Sequence, residues 1–543
     1  MSSPHMLPFG AAMPLHDKHA VSVSMPTWDS IWIWRERQSW AMDVLQSCYP
    51  RFYLHQTVQN LTDAVSARLS LSDQTTCLIF PSSDASRRLI ATLAAKYPDQ
   101  SFCSVQFSLP ESKDIEAQWL AFSVAILPQS CLSSAMDFWA IFGDGISSRH
   151  AECSLVALPS MTSHSNNTRF ETSPFLKFIS QRIPPGIVEK RSIKQLISHF
   201  VTSEKPDHRP VTTNDVFLYP KGMCAIAAVI RALIPTDSTN SEAVLYGWPY
   251  AETLHCVEAS GYNRYTWLSQ SNEEELNNLE ASLQAGNKIR VLFCELPSNP
   301  QLKSPNLPRI HALARRYGFI IACDETIASF VNVDVLPYAD VVITSLTKIF
   351  SGVCNVMGGS VVVNPNSPHY HEIHSAVTSI YEDLLFPLDA IVLANNATNF
   401  EQRVHQSNSN ALTMATLLEA HPLVDKVYYP SMVPSRVFYD QVKRRNGGYG
   451  CMFSIIFHDP DDAIVFYDTL DVSKGPSLGT DFTLAIPYTQ LAHLDELDWA
   501  EKNGLEKHIV RISAGVEKEK ELVDRVQSAL REVEGKRKTF CRG

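Results

Sequence analysis

Through the middle of the chain, short apolar runs alternate with longer segments whose apolar residues recur every three to four positions. The short runs are Val216–Tyr219, Ala243–Tyr246, Val291–Leu296, Phe319–Cys323, Val341–Thr344 and Ser360–Val363, and each predicts a buried strand. Between them lie helical patterns such as Cys224–Leu233 and Leu307–Tyr317. Strands alternating with helices predict an α/β fold with a mainly parallel sheet covered on both faces. Residues 367–420 have a helical period, with a hinge at Phe386-Pro387-Leu388-Asp389. Val424–Pro430, a glycine turn at Gly447-Gly448 leading into a strand through Phe457, Ile509–Gly515 and a charged helix over Lys518–Val533 predict a smaller C-terminal α+β domain.

Ahead of residue 175 the pattern is less regular. Residues 1–30 are rich in Ser, Pro, Met and His and predict a flexible arm, and ordered structure is expected from Trp28. Val58, Leu61, Val65 and Leu69 share one face of a helix, Thr76–Phe80 predicts a strand, and Trp119–Leu127 is a further apolar run. Residues 161–168 predict a polar linker, and 84–170 an additional α/β layer without an assigned role. The division is an arm and extension over 1–174, a large domain over 175–399 and a small domain over 400–543.

Composition narrows the class. Of 543 residues, 45% are hydrophobic and 19% charged, which is globular, and a net charge of -11 without a basic stripe disfavours nucleic acid as a partner. No apolar run is long enough to cross a bilayer, and the N-terminus lacks the apolar core of a signal peptide. The 12 cysteines include no Cys-x-x-Cys pair and no zinc-spaced cluster, so no metal is expected. Several, such as Cys294 and Cys323, lie in apolar runs, as buried thiols do in a reducing compartment, and a cytoplasmic protein is expected.

The chemistry gathers at strand ends. In an open parallel sheet, ligands bind beyond the carboxyl ends of the strands. There the chain carries Gly222-Met223, Tyr246, Asn299, Asp324 and Ser345-Leu346-Thr347-Lys348. A lysine held in a pocket needs a reason, because burying an ammonium is costly. A Schiff base with pyridoxal phosphate (PLP) is one reason; a solvated amine after a strand is the ordinary alternative. Taken singly, Asp324 also suits a helix N-cap, Gly222 a tight turn, Asn299 a turn before Pro300, Tyr246 a half-buried aromatic and Arg511 a strand arginine. It is the convergence of five segments that favours PLP.

Seven motifs occur in order: Gly222-Met223-Cys224-Ala225-Ile226, Leu296-Pro297-Ser298-Asn299-Pro300, Asp324-Glu325-Thr326, Ser345-Leu346-Thr347-Lys348, Val356-Met357-Gly358-Gly359, Pro476-Ser477-Leu478-Gly479 and Val510-Arg511-Ile512-Ser513-Ala514-Gly515. On these the chain, over roughly 210–520, resembles the Cys/Met-metabolism family of PLP-dependent enzymes, and especially its fungal cystathionine γ-synthase-like branch. The resemblance implies fold type I and a homodimer or homotetramer with shared active sites. It implies that Lys348 holds the cofactor and moves protons, that Asp324 faces the pyridine nitrogen, and that Asn299 contacts the phenolic oxygen. Tyr246 would stack on the ring near the leaving group. The backbone of Gly222 and Met223, with the hydroxyls of Ser345 and Thr347, would bind phosphate, and Thr326 would complete the cofactor set. Arg511, with Ser477 and Leu478, would bind the amino-acid substrate. Tyr49 and Arg51 resemble a Tyr-x-Arg pair that reaches across the dimer to the neighbour's phosphate, although about 170 residues separate them from Gly222. Glu325 and Pro476 depart from the family's usual residues, which suggests an altered substrate end.

The implied reaction is γ-replacement on an activated homoserine ester, expected to be O-acetyl-L-homoserine, by a sulfur, carbon or amine nucleophile. A γ- or β-lyase of sulfur amino acids and a non-catalytic PLP-binding subunit are the alternatives.

Overall fold

The computed structural model describes residues 6–110, 118–165, 186–235 and 242–540. Of the segment expected to be a flexible arm, residues 1–5 lie outside the described residues and much of the rest is instead packed. Strands β1 (Ala12–Met13) and β2 (Ser22–Val23) pair antiparallel. Met13, Ala20, Val23 and Met25 are buried, and the backbone N–H groups of Val21 and Met25 donate to the carbonyls of Cys354 and Lys474. Composition averaged over the segment hides these apolar residues, which are interleaved with Pro, Ser and His.

The extension forms its own sheet from β3 (Thr75–Phe80), β4 (Cys103–Ser108), β5 (Phe122–Pro128) and β6 (Thr162–Ser165), in the order β3-β5-β4-β6 and antiparallel throughout. Helices Gln56–Arg68, Ser83–Lys96, Leu132–Phe142 and Ser148–Ala157 accompany it. The expected polar linker therefore begins as a strand. An edge strand needs no apolar face, so its polar residues carry no strand signal. Residues 166–168 of that linker lie outside the described residues.

The large sheet contains β7 (Val216–Tyr219), β8 (Glu242–Tyr246), β9 (Arg264–Leu268), β10 (Val291–Glu295), β11 (Ile320–Asp324), β12 (Val341–Thr344) and β13 (Gly359–Val363). Their order is β7-β13-β12-β11-β10-β8-β9. The sheet is mainly parallel, but β13 runs antiparallel to both neighbours, so it is mixed. The half-exposed edge strand β9 was not anticipated, because Arg264 and Tyr265 interrupt its apolar run. Alternate residues of the central strands enter two cores: Leu292 and Cys294 one, Val291 and Phe293 the other. That is the two-faced burial that near-continuous apolar strands require.

The second sheet holds β14 (Val424–Tyr428), β15 (Met452–Phe457), β16 (Ser473–Lys474), β17 (Leu484–Pro487) and β18 (Val510–Ser513), in the order β14-β15-β18-β17-β16. Helices Phe400–Glu419 and Glu519–Phe540 pack with it around a separate apolar cluster. The expected hinge at Phe386–Asp389 is a helix start: Phe386 precedes the helix Pro387–Asn396, whose first residue is the proline. Among the described residues no helix is long and apolar enough to cross a membrane.

Candidate active site

The carboxyl ends of β10, β11 and β12 and the N-terminus of the Gly222–Leu233 helix open onto one cavity of about 100 Å³. Parallel pairing brings Glu295 and Asp324 into register at the ends of β10 and β11. Two buried carboxyls side by side resist ionisation. Burial raises Asp324 from its usual 3.8 to about 6, against the hydrogen bonds from Thr326 that favour the charged form. Burial, with the charge of Asp324 added, holds Glu295 well above the ordinary carboxylate range. Glu295 Oε1 accepts from the Tyr250 N–H at 2.6 Å. Thr326 braces the pair of strand ends: its N–H donates to Asp324 Oδ1 and its Oγ1 accepts from the Ser345 N–H, both at 2.8 Å.

Lys348 follows β12 by four residues and lines the cavity. Its Nζ donates to the Tyr49 hydroxyl at 3.3 Å, lies 3.5 Å from Ser477 Oγ and sits 4.6 Å from the centroid of the Tyr49 ring. Burial alone would raise the Tyr49 phenol, but the adjoining charges of Lys348 and Arg51 outweigh it and hold the phenol below its usual 10.

At the other end, Gly222 and Met223 begin their helix behind Lys221, whose side chain does not cap it. The first N–H groups of such a helix are ready donors for an anion. Gly222 is required there, since a Cβ would lie 2.7 Å from the Ser345 side chain. Arg51, only 2% exposed, donates to the Ala140 carbonyl and the Tyr250 hydroxyl. Lys221 Nζ donates to the carbonyls of Gly143 and Gly145 at 2.7 and 2.5 Å.

Arg511, on β18 and 3% exposed, lines the same cavity. Its Nη1 donates to Asn299 Oδ1 at 3.2 Å, and its Nη2 to the Pro476 and Ser477 carbonyls at 2.9 and 3.0 Å. Burial lowers it from 12.5 to about 10, and the groups that favour its charge are Tyr488, Tyr250 and Cys451. Among the described residues no carboxylate pairs with it.

The structure thus brings Tyr49, Arg51, Gly222, Met223, Asn299, Asp324, Thr326, Ser345, Lys348, Leu478 and Arg511 around one cavity. Ser477 adjoins it through its contact with Lys348. Two expected residues lie elsewhere. Tyr246 points into the core and its hydroxyl donates to the Asn272 carbonyl, while Tyr250 lines the cavity instead. The Thr347 hydroxyl is committed to the backbone of Gly358. Tyr49 and Arg51, expected to serve a neighbouring subunit, stand in the cavity of their own chain. Sequence reasoning missed Lys221, Tyr250 and Glu295; the available signals were Lys221 just before Gly222 and Glu295 just before Leu296-Pro297.

A family model described as Cys/Met metabolism PLP-dependent enzyme matches residues 211–531, and one described as fungal trans-sulfuration enzyme, N-terminal domain, matches 57–147. The chain is 46% identical to the cystathionine gamma-synthase-like protein ankD of Aspergillus thermomutatus, over 98% of this chain and 96% of that one. It is 33% identical to the cystathionine gamma-synthase of Neurospora crassa, over 97% of this chain and 99% of that one. Among solved structures, cystathionine gamma synthase from Xanthomonas oryzae pv. oryzae superposes with a TM-score of 0.54 at 21% identity, over 64% of this chain and 86% of that one, a likeness of fold.

Proposed function

Since the chain belongs to the Cys/Met-metabolism family of PLP-dependent enzymes, we propose that it catalyses γ-replacement on an activated homoserine ester, the incoming nucleophile being sulfur, carbon or amine. The donor set suits the family's cofactor, PLP. An uncapped helix start, a glycine that leaves room beside Ser345, and Arg51 form an anion cradle at one end. Asp324 offers a carboxyl to a protonated pyridine nitrogen, and the tyrosines that line the cavity are Tyr49 and Tyr250, not Tyr246. When bound, PLP supplies the electron sink that makes protons at Cα and Cβ of an amino acid removable.

The remaining work falls to side chains. Lys348 Nζ is the mobile amine and takes and returns the protons at Cα and Cβ, while Cγ loses the ester as its carboxylate and gains the nucleophile. The Tyr49 hydroxyl, 3.3 Å away, holds or returns a proton at that nitrogen. Lys221 cannot share the task while two carbonyls hold its ammonium. The observation that carries the reading is Arg511. A buried guanidinium lining the same cavity as Lys348, without a carboxylate partner among the described residues, suits the α-carboxylate of an amino acid.

Charge also favours a neutral ester. The cationic side chains lining the cavity are Arg51, Lys221, Lys348 and Arg511. With these assigned to phosphate, backbone carbonyls, proton transfer and the α-carboxylate, none is left over for a succinyl or phosphoryl ester. O-Acetyl-L-homoserine fits that balance. The test is to incubate the PLP-loaded protein with O-acetyl-L-homoserine and, separately, cysteine, sulfide, a 3-oxo acid or an amine, and to read products by mass. A homoserine-derived adduct with one of them is expected. Formation of only 2-oxobutanoate and ammonia with every nucleophile would make the protein a lyase.

A further inference from the structure

We propose that Tyr488 is the positioning residue of the substrate clamp: its ring lies against the Arg511 guanidinium and holds it ready for the α-carboxylate. The proposal rests on assigning Arg511 to that carboxylate.

The hydrogen-bond acceptors of Arg511 are the Asn299 amide oxygen and the Pro476 and Ser477 carbonyls. All three are neutral, so they satisfy N–H groups and fix the edge of the guanidinium without offsetting its full charge. Arg511 Cζ lies over the ring of Tyr488, 5.1 Å from the centroid. The negative face of an aromatic ring attracts a guanidinium, and the attraction strengthens once water is excluded. Water is excluded here, for both side chains are 3% exposed. Burial weighs against the charge on Arg511, which makes the ring's contribution matter more. Tyr488 does not line the cavity, so it acts through Arg511 and not on the substrate.

The ring is anchored by its own backbone. Tyr488 directly follows β17, whose last residue, Pro487, pairs with Val510 of β18. The Tyr488 N–H donates to the Ile509 carbonyl at 3.1 Å. Thr489 Oγ1 and Gln490 Nε2 donate to the carbonyls of Glu506 and Lys507 at 2.7 and 2.8 Å. The strand that carries Arg511, and the segment just ahead of it, therefore fix the turn that carries Tyr488. His493 adjoins the ring at 6.2 Å between centroids and is itself tied through Nδ1 to Glu496 at 2.7 Å. The Tyr488 hydroxyl, by contrast, is buried and has no hydrogen-bond partner among the described residues. The contact with Arg511 belongs to the ring, and a phenylalanine can make it.

The test uses the full-length, PLP-loaded protein and two probes, L-homoserine and 3-aminopropan-1-ol, which is homoserine without its carboxylate. Each is titrated while the visible absorbance of the cofactor is followed. Wild type should prefer L-homoserine, and Arg511→Leu should abolish that preference. Tyr488→Leu should weaken L-homoserine about ten- to thirtyfold and leave 3-aminopropan-1-ol within twofold of wild type. Tyr488→Phe should keep both values within twofold. A wild-type preference in Tyr488→Leu would overturn the proposal, and so would equal weakening of both probes, which marks general damage to the pocket. A Phe variant as weak as the Leu variant would move the role to the hydroxyl and overturn the ring contact. An unchanged preference in Arg511→Leu would instead overturn the carboxylate assignment, a distinguishable failure. Tyr488→Met replaces Tyr488→Leu should the latter not fold.

Discussion

The seven-stranded and four-stranded sheets both have apolar central strands with helices packed against them, yet they contribute to the cavity in different ways. In the large sheet β10, β11 and β12 run parallel, so their carboxyl ends reach one side together. Glu295, Asp324 and the Ser345–Lys348 turn are gathered there by strand direction alone. In the extension every neighbouring pair is antiparallel, so successive strand ends leave on opposite sides. That sheet collects no polar row. Polar contacts with the cavity's walls come from its Trp139–Gly145 segment, whose carbonyls accept from Arg51, Lys221 and Cys224. Chemistry that comes from strand ends is concentrated in the parallel sheet, and geometry that comes from docking can be supplied by the antiparallel one.

Substitutions on the two sheets should separate these contributions. Lys348→Ala removes the mobile amine and should lower turnover of the homoserine ester by at least about a thousandfold, measured with saturating PLP. Asp324→Asn should lower kcat by a few hundredfold, because an amide does not neutralise a pyridinium. It also has a pH signature in the cofactor-free protein. The Asp324 carboxyl is raised in the folded state, from 3.8 to about 6. Its contribution to stability is therefore fully present below about pH 4 and is lost as pH rises through about 6. The loss is at most about 3 kcal/mol. Thermal unfolding without PLP should show the Asn variant gaining on wild type between pH 5 and pH 7.5; a constant difference would mean that Asp324 is not the strained carboxyl. Arg511→Leu should lower kcat/KM for amino-acid substrates about a hundredfold while PLP stays bound, as seen in the visible absorbance. The smallest effect on turnover is expected from Phe107→Ala. Phe107 is buried in β4 and stacks on Phe122 at 5.0 Å, so the change should cost about 3–5 kcal/mol of stability yet leave kcat/KM within about twofold below the melting transition. A parallel fall in kcat/KM would show that the extension sheet reaches the site more directly than through the Trp139–Gly145 segment.

Much of the large sheet and its polar ends was legible because a continuous apolar run that stops at a charged residue has few structural solutions. Asp324, Lys348 and Arg511 all sit at or within such runs. What escaped did so for specific reasons. The run Gly359–Val363 is equally apolar in either direction, so nothing in it announces an antiparallel β13. Tyr246 ends β8 and Tyr250 follows it, but Gly247 turns the chain with a φ of +93°, and only the folded path shows which ring enters the cavity. Thr347 lies one residue from Lys348, and its hydroxyl meets Gly358 across a turn whose closure the sequence does not display. Arg51 meets Tyr250 across 199 residues, a contact that no local pattern encodes.

The central claim is that the lysine after β12 is the one that holds the cofactor. Lys221 lines the same cavity and is the other lysine within it, which makes the claim sharp. Borohydride reduction of the PLP-loaded protein, followed by proteolysis and mass mapping, should place the phosphopyridoxyl group on the peptide containing Lys348 at one per chain. A label on Lys221, or labelling undiminished in Lys348→Ala, would contradict the account.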